Sequence, residues 1–480
     1  MLACAVAISG GSASLQPARA DGLAGASCCA DLEERIAELE ATTVRKGNRR
    51  VSLSVSGQVT RSLLYWNDGE QHDLYSVDQG LNSSRFRFTG SAKLSTEYQV
   101  GFVFEMDMRL GSRSNFVNQI DDDGFSGSGG ILGAAALGDG IGGNGDSVIG
   151  IRQAAWWVES KSWGKVTVGR VNMTTAGIST IDLSNVGAVV TSEPGEFQGA
   201  FLLRNGIGVI SPTATWSLQC GGPNAGGPYS SDCAEHGAFR RDAVRYDTPT
   251  YWGFTLSGAY AEDHIYDFAL RYAGEIGAFR IAAGVGYRIL RDQEPDAGFP
   301  PGGPFIDRLD NTDRRQWLSS ASVMHVPTGL FVSGAFLDYQ FLGTNPNEVN
   351  ALTGDHRPNI PMWWVDAGIQ RNWTGWGATT FYGEWGRFDD GIVGLLANTA
   401  LPSLGPLAAG AFAPNTVVLD SDVQWWGAGI VQTIDAAAMD VFIAYRQYQA
   451  SATISGGPGN QIPGGLNDIW FIQAGARIQF

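Results

Sequence analysis

The chain has 480 residues, with 32 Lys and Arg against 48 Asp and Glu, and the resulting formal charge of −16 argues against a nucleic-acid partner. Its 65 Gly, 15 Trp, 14 Tyr and 23 Phe, set beside 17% charged residues and 5 Cys, suggest a β-rich protein with aromatic belts. Outside the N-terminal segment no apolar run reaches about 18 residues, which argues against helical membrane spans; a mean hydropathy near zero still fits a strand barrel, whose lipid-facing and water-facing residues average out.

Residues 1–20 read as an export signal. Leu2 to Ile8 is apolar, and Ala18-Arg19-Ala20 presents small residues where a signal peptidase reads, although the usual basic start is missing. Cleavage there removes Cys4 and leaves four cysteines in an oxidising compartment. Residues 21–48 then hold one convincing helix, Asp31 to Thr43. Asp31 and Glu34 have capping-box spacing, and Leu32, Ile36, Leu39 and Thr43 follow 4-3-4 steps. Two heptads are too short to pair alone, so the helix either joins copies held together by a trimer or lies on its own barrel. Cys28 and Cys29 precede it. Adjacent cysteines seldom bond each other, so inter-subunit links or free thiols are expected there.

From residue 49 to the C-terminus the chain reads as one unit of spanning strands. Val51, Leu53, Val55, Gly57, Val59, Leu63 and Tyr65 share one face, with Ser52, Ser54, Ser56, Gln58, Thr60 and Ser62 on the other, the period of two that marks a strand. Phe86, Phe88, Gly90, Ala92 and Leu94 then alternate with Arg85, Arg87, Thr89, Ser91 and Lys93. After a turn at Ser95 to Tyr98 the pattern resumes as Val100, Phe102, Phe104, Met106 and Met108 against Glu105, Asp107 and Arg109. Further short turns fall at Ser160 to Gly164, Thr248 to Gly253, Gly274 to Gly277, His325 to Gly329, Thr374 to Gly377 and Ile434 to Ala438. The opposite connections are longer. Seven turns and eight loops make sixteen antiparallel strands, and the turns carry Tyr98, Trp163, Tyr251, Trp252 and Trp376 where an aromatic girdle would meet an interface. Leu330 to Phe341 and Val423 to Thr433 have ambiguous facing.

One connection is out of proportion. Residues 171–239, after the fifth strand, far exceed what a link requires, and such loops usually fold on themselves for a function. Cys220 and Cys233 lie within it and are expected to form a disulfide. On faces assigned to the interior stand Arg85, Arg87, Lys93, Arg109, Arg245, Arg271, Arg280, Arg288, Arg446 and Arg477. A charge facing lipid costs about 2–4 kcal/mol at the midplane, so these should face water. Opposite them we place Asp182, Glu193 and Glu196 of the long loop.

The last eleven residues, Trp470 to Phe480, alternate once more, and Gln473, Gly475, Ile478 and Phe480 match polar-x-Gly-x-x-apolar-x-apolar. That ending resembles the closing strand of bacterial outer-membrane barrels, which their assembly machinery reads. Together with the turn pattern it makes residues 49–480 resemble a sixteen-stranded general-diffusion porin of the alphaproteobacterial, Rhizobiales type. The resemblance implies an all-β transmembrane barrel with a short periplasmic helix, working as a homotrimer in the outer membrane among lipid and lipopolysaccharide. It implies passive passage of small hydrophilic solutes, without cofactor, metal or nucleic acid. It also implies that the long loop folds inward: Ser192-Glu193-Pro194-Gly195-Glu196-Phe197 loosely resembles the acidic loop tip of enterobacterial porins. A substrate-specific channel, or a barrel anchoring the envelope to the cell wall through the helix, are the alternatives.

Enzymatic readings find little support. The 5 His show no metal-ligand spacing to one another. Gly140 to Gly145 fits G-x-G-x-x-G, but no β-α-β unit surrounds it. Asp121-Asp122-Asp123-Gly124 reads as a solvated acidic loop before it reads as a cation site.

Overall fold

The computed structural model describes residues 51–109, 113–115, 117–119, 148–192, 201–216, 240–262, 264–292, 312–344, 348–401, 404–405, 412–455 and 461–480. The expected signal segment, Cys28, Cys29, the helix Asp31 to Thr43, Asp121 to Gly124, Gly140 to Gly145, Glu193, Glu196, Cys220 and Cys233 lie outside them. The chain divides into Met1–Leu53 and Ser54–Phe480; the first lies outside the described residues apart from its last three, and the second holds the sheet.

Six strands come first: β1 (Ser52–Asn67), β2 (His72–Val77), β3 (Arg85–Lys93), β4 (Tyr98–Arg109), β5 (Val148–Ser160) and β6 (Gly164–Asn172). A separate hairpin follows, β7 (Leu202–Arg204) with β8 (Ile210–Thr215). The remainder are β9 (Arg240–Asp247), β10 (Phe254–Ala261), β11 (Ile265–Ile276), β12 (Phe279–Asp292), β13 (Thr312–His325), β14 (Leu330–Phe341), β15 (Ile360–Arg371), β16 (Thr379–Asp389), β17 (Val418–Ile434), β18 (Met439–Ile454) and β19 (Ile469–Gln479). All but β7 and β8 form one seventeen-stranded sheet. Since β2 and β3 both lie against β1, they occupy one position of the wall, and the barrel is sixteen strands round.

The ring shuts between β1 and β19, in register from Gln58 opposite Gln479 to Asn67 opposite Trp470. Phe480 extends the seam by exchanging backbone hydrogen bonds with Gly57 at 2.9 and 3.1 Å. Closure leaves no sheet edge to recruit another chain. Gly475 is needed there, because a Cβ would come within 2.5 Å of Ser62. Gln473 points inward and donates to Ser62 Oγ at 2.7 Å.

The seven tight turns all lie at one rim, and the fourth falls at residues 277–278, slightly later than the sequence suggests. Trp163, Tyr251, Trp252, Trp373 and Trp376 stand exposed around that rim. At the other rim the connections are long, except that β1 and β2 are joined by residues 68–71 and β10 and β11 by residues 262–264 alone. The alternation of β1 is realised directly: Val55, Val59 and Leu63 are exposed outward, and Thr60, Ser62, Leu64 and Trp66 are buried inward. The ambiguous pair resolves the same way, with Leu330 and Val332 outward and Phe331, Ser333, Ala335 and Leu337 inward on β14, and Trp426 outward and Trp425 inward on β17.

Inside, the barrel is unevenly filled. The inward side chains of β13 to β19, from Leu318 and Ser320 through Trp364, Tyr382, Trp425, Phe442 and Tyr448 to Phe471, are buried. On β3 to β5, Arg85, Arg87, Thr89 and Gln153 keep part of their surface, while Glu105 and Asp107 are buried beneath the arginines. Apolar residues can face the interior on one side because loops cover them there.

Candidate functional site

The covering is done mainly by residues 173–192, which follow β6 and travel round the inner wall. Their first turn is clamped by charge. Thr175 donates from N and Oγ1 to Asp267 of β11 at 3.2 and 3.0 Å, and its Oγ1 accepts from Arg288 of β12 at 2.5 Å. Arg271 Nη2 donates to the carbonyls of Thr174 and Ala176 at 2.5 and 2.8 Å, and Arg245 Nη1 to that of Asn172 at 2.9 Å. Ile178 and Ile181 then lie over Gly284 and Gly286 of β12. A Cβ at either glycine would sit 2.7–2.8 Å from those side chains, so only glycine lets the segment lie flat against the wall.

Further on, Ser320 of β13 donates to the Ile178 carbonyl, and the amide of Leu183 donates to Ser322 Oγ at 3.2 Å. The Ser184 carbonyl accepts from Gln370 of β15 at 2.5 Å and Thr380 of β16 at 2.8 Å. Asn185 donates to Asp440 of β18 at 2.9 Å. A 3-10 turn, Val186–Ala188, rests on the break between β2 and β3. There Asn82 donates to the Gly187 carbonyl at 2.8 Å, and Gln79 to those of Ala188 and Val189 at 3.1 and 3.2 Å. The Thr191 carbonyl accepts from Arg446 of β18 at 2.9 Å. Arg446 is fully buried in an ion pair with Glu384 of β16 at 2.6 Å, and Trp364 Nε1 also donates to Glu384 at 2.8 Å. Beyond this segment the β7–β8 hairpin packs above the seam. Phe201 meets Trp66 and Phe471, with ring centres 5.4 and 4.9 Å apart, and Arg204 pairs with Asp68 at 2.9 Å.

The uncovered inner wall is basic. Glu105 of β4 accepts from Arg87 Nε and Arg152 Nε at 2.6 Å each and from Gln153 Nε2 at 3.0 Å, with Arg85 Nη1 at 3.7 Å. Asp107 pairs with Arg113 at 3.2 Å and Arg152 at 3.5 Å. Arg240, at the start of β9, lies in the field of Arg85, Arg152 and both carboxylates. Of these, Arg113, Arg152 and Arg240 escaped the sequence reading. Arg152 is the extra residue of a β-bulge, since Glu105 faces Gln153 while Met106 already faces Ile151. The bulge turns two consecutive side chains, Arg152 and Gln153, onto Glu105. A visible signal existed: Ile149 and Ile151 occupy one parity outside, Trp156 the other.

The residues singled out by sequence therefore separate. Arg85 and Arg87 stand in the basic wall, and the side chain of Arg109 lies outside the described set. Arg245, Arg271 and Arg288 bind the segment that was expected to oppose them, because its backbone carbonyls and Thr175 reach them first. Arg280 pairs with Glu275 at 2.9 Å beside the turn 277–278, away from the segment, and Lys93 is exposed near another turn. Arg477 pairs with Asp440 at 2.7 Å. Asp182 also departs from expectation. Its Oδ1 accepts from the Ser184 amide at 2.6 Å and its Oδ2 from the Gly187 amide at 2.8 Å, so it shapes its own turn instead of facing the arginines.

A closed antiparallel barrel with short turns at one rim, loops at the other and an internally anchored long loop is joined by one further finding. The model of the family of Gram-negative porins matches residues 3–461. The chain belongs to that family. No curated protein matches the sequence. Among solved structures, the anion-selective porin from Comamonas acidovorans is similar at 14% identity and a TM-score of 0.51, over 90% of this chain and 100% of that one. The in-vitro folded OmpT, an outer membrane protein of Vibrio cholerae, matches at 11% identity and 0.47, over 91% and 99%. Salmonella typhi OmpF in complex with daunomycin matches at 12% and 0.45, over 90% and 98%. This porin is thus a multi-pass outer-membrane barrel, a channel for passive diffusion of small hydrophilic solutes and ions, with its tight turns at the periplasmic rim.

Proposed function

We propose that solutes pass between the arginine wall of β3 to β5 and the segment 173–192, and that the porin prefers anions. The observation that carries this reading is the wall itself: among the described residues, Arg85, Arg87, Arg113, Arg152 and Arg240 gather around Glu105 and Asp107. Selectivity follows the charge lining the path rather than the total of −16. The charge is fixed in place by ion pairs, so it acts as a standing field on each passing ion, and no catalytic step is involved. Reversal potential in a chloride gradient across a planar bilayer tests the preference. An anion-selective potential is expected; a cation-selective one overturns the reading.

The same reading includes a homotrimer, an export signal over residues 1–20, recognition of Gln473, Gly475, Ile478 and Phe480 by the assembly machinery, and a source among the alphaproteobacteria. The signal rests on the apolar run Leu2 to Ile8 and the small residues Ala18 and Ala20, and the others follow from the porin resemblance of the sequence. Native mass spectrometry in detergent checks the trimer, with a monomer as the outcome that removes it.

A further inference from the structure

Asp366 faces inward from β15, in the wall that the segment 173–192 covers, and is 1% exposed. In register across the strands stand Ser333 of β14 and Glu384 of β16, and Asp182 of the segment is the other charge acting on it. Both carboxyl oxygens of Asp366 are enclosed, and neither has a hydrogen-bond partner among the described residues. The neighbouring groups are engaged elsewhere. Asp182 accepts from the amides of Ser184 and Gly187, and Glu384 accepts from Arg446 and Trp364. Ser333 shares a hydrogen bond with Ser322 Oγ at 3.0 Å, and Ser322 Oγ accepts from the Leu183 amide. Thus β14 brings Asp366 a hydroxyl without charge, while β16 and the segment bring one carboxylate each. A buried carboxylate with no donor, opposite a like charge on the next strand, is a costly state. The enclosed oxygens leave no room for a water, and a hard cation would gather about six to eight oxygens around itself. A proton is the counter-charge that fits.

We propose that Asp366 folds as a neutral carboxylic acid and is a positioning residue for the segment 173–192, which lies against the wall only while that proton stays on. The proposal rests on the reading of the segment as one side of the passage, and adds a means of regulating it. When the proton passes to hydroxide from the channel water, a bare carboxylate is left beside Asp182 and Glu384. The strand ladder and Arg446 keep Glu384 in place, so the repulsion falls on Asp182 and its turn. The turn then lifts from β15 towards the arginine wall, and the passage narrows.

Two measurements on the full-length porin test this: infrared difference spectra in detergent, and unit conductance in planar bilayers as the pH is raised from neutral. Asp366→Asn keeps the shape of the neutral acid and has no proton of that kind to lose. At neutral pH the spectrum of the unmodified protein is expected to show a protonated carboxyl band that Asp366→Asn lacks, and alkali should abolish that band. Over the same pH range the unmodified conductance should fall, and Asp366→Asn should lose this response. Asp182→Asn, which removes the repelled charge, should weaken it. Absence of the band at neutral pH overturns the proposal. A conductance that stays level while the band disappears overturns the link to the segment, as does an equal fall in Asp366→Asn. Folded protein without stepwise conductance at neutral pH would instead remove the diffusion reading, and the spectra would still decide whether Asp366 carries its proton.

Discussion

At Arg446 the interior shows what a buried charge needs. The guanidinium is fully buried, holds Glu384 at 2.6 Å, and lends its other Nη2 hydrogen bond to the Thr191 carbonyl. Trp364 supplies a further donor to Glu384. Removing one partner strands the other charge away from water, which costs about 3–5 kcal/mol. Arg446→Met is therefore expected to lower the denaturant midpoint of the folded barrel in detergent sharply, and Arg446→Met with Glu384→Gln should recover part of the loss. Equal midpoints for the single variant and the unmodified protein would refute this account. Arg152 teaches a different lesson at the same scale. Arg85 and Arg87 were legible because alternation put them opposite Phe86 and Phe88; Arg152 was not, because a bulge broke the alternation within its own strand. Asp182 was legible as an acid on the right loop, yet the backbone amides of Ser184 and Gly187 claim it, a local contact that residue type alone does not announce.

Among elements, the break between β2 and β3 has the most to answer for. It interrupts the second wall position, and Gln79 and Asn82 use the gap to hold the 3-10 turn at Val186–Ala188. Each of these hydrogen bonds stabilises by about 1 kcal/mol net. Gln79→Ala with Asn82→Ala should leave the barrel folded and let the turn move, seen as greater open-channel noise and altered unit conductance. Noise and conductance matching the unmodified porin would mean that the other anchors suffice. The tight turns were readable because each separates two period-two segments. The faces of β14 and β17 were not, since covered inward residues such as Phe331, Leu337, Val423 and Trp425 are as apolar as outward ones. The β7–β8 hairpin lay hidden inside the long loop for a related reason: its burial comes from Trp66, Tyr448 and Phe471, far away in sequence.

For the whole molecule, closure is decided at a seam with little surplus. Phe480 is exposed outward at the periplasmic rim, while its backbone completes the ladder to Gly57. Phe480→Asp places a charge there and is expected to cut the outer-membrane yield of folded porin severalfold, measured by the heat-modifiable band in membrane fractions. An unreduced yield would detach the C-terminal residue from assembly. The fold as a whole was legible because a barrel repeats one simple rule sixteen times; the inner landscape was not, because it depends on which loop covers which wall.

The segment 173–192 also constrains the order of events as the chain takes shape. Asn185 ends against Asp440 and Arg477, partners 255 and 292 residues downstream. Those partners arrive last, on the final two strands, so the inner segment cannot settle until nearly the whole chain has been delivered. Once settled, it ties together walls that face each other across the ring, like a spoke in a hoop. A bare cylinder of sixteen strands can flatten under lateral membrane pressure; this one is braced from within, and its roundness and its passageway are maintained by the same stretch of chain.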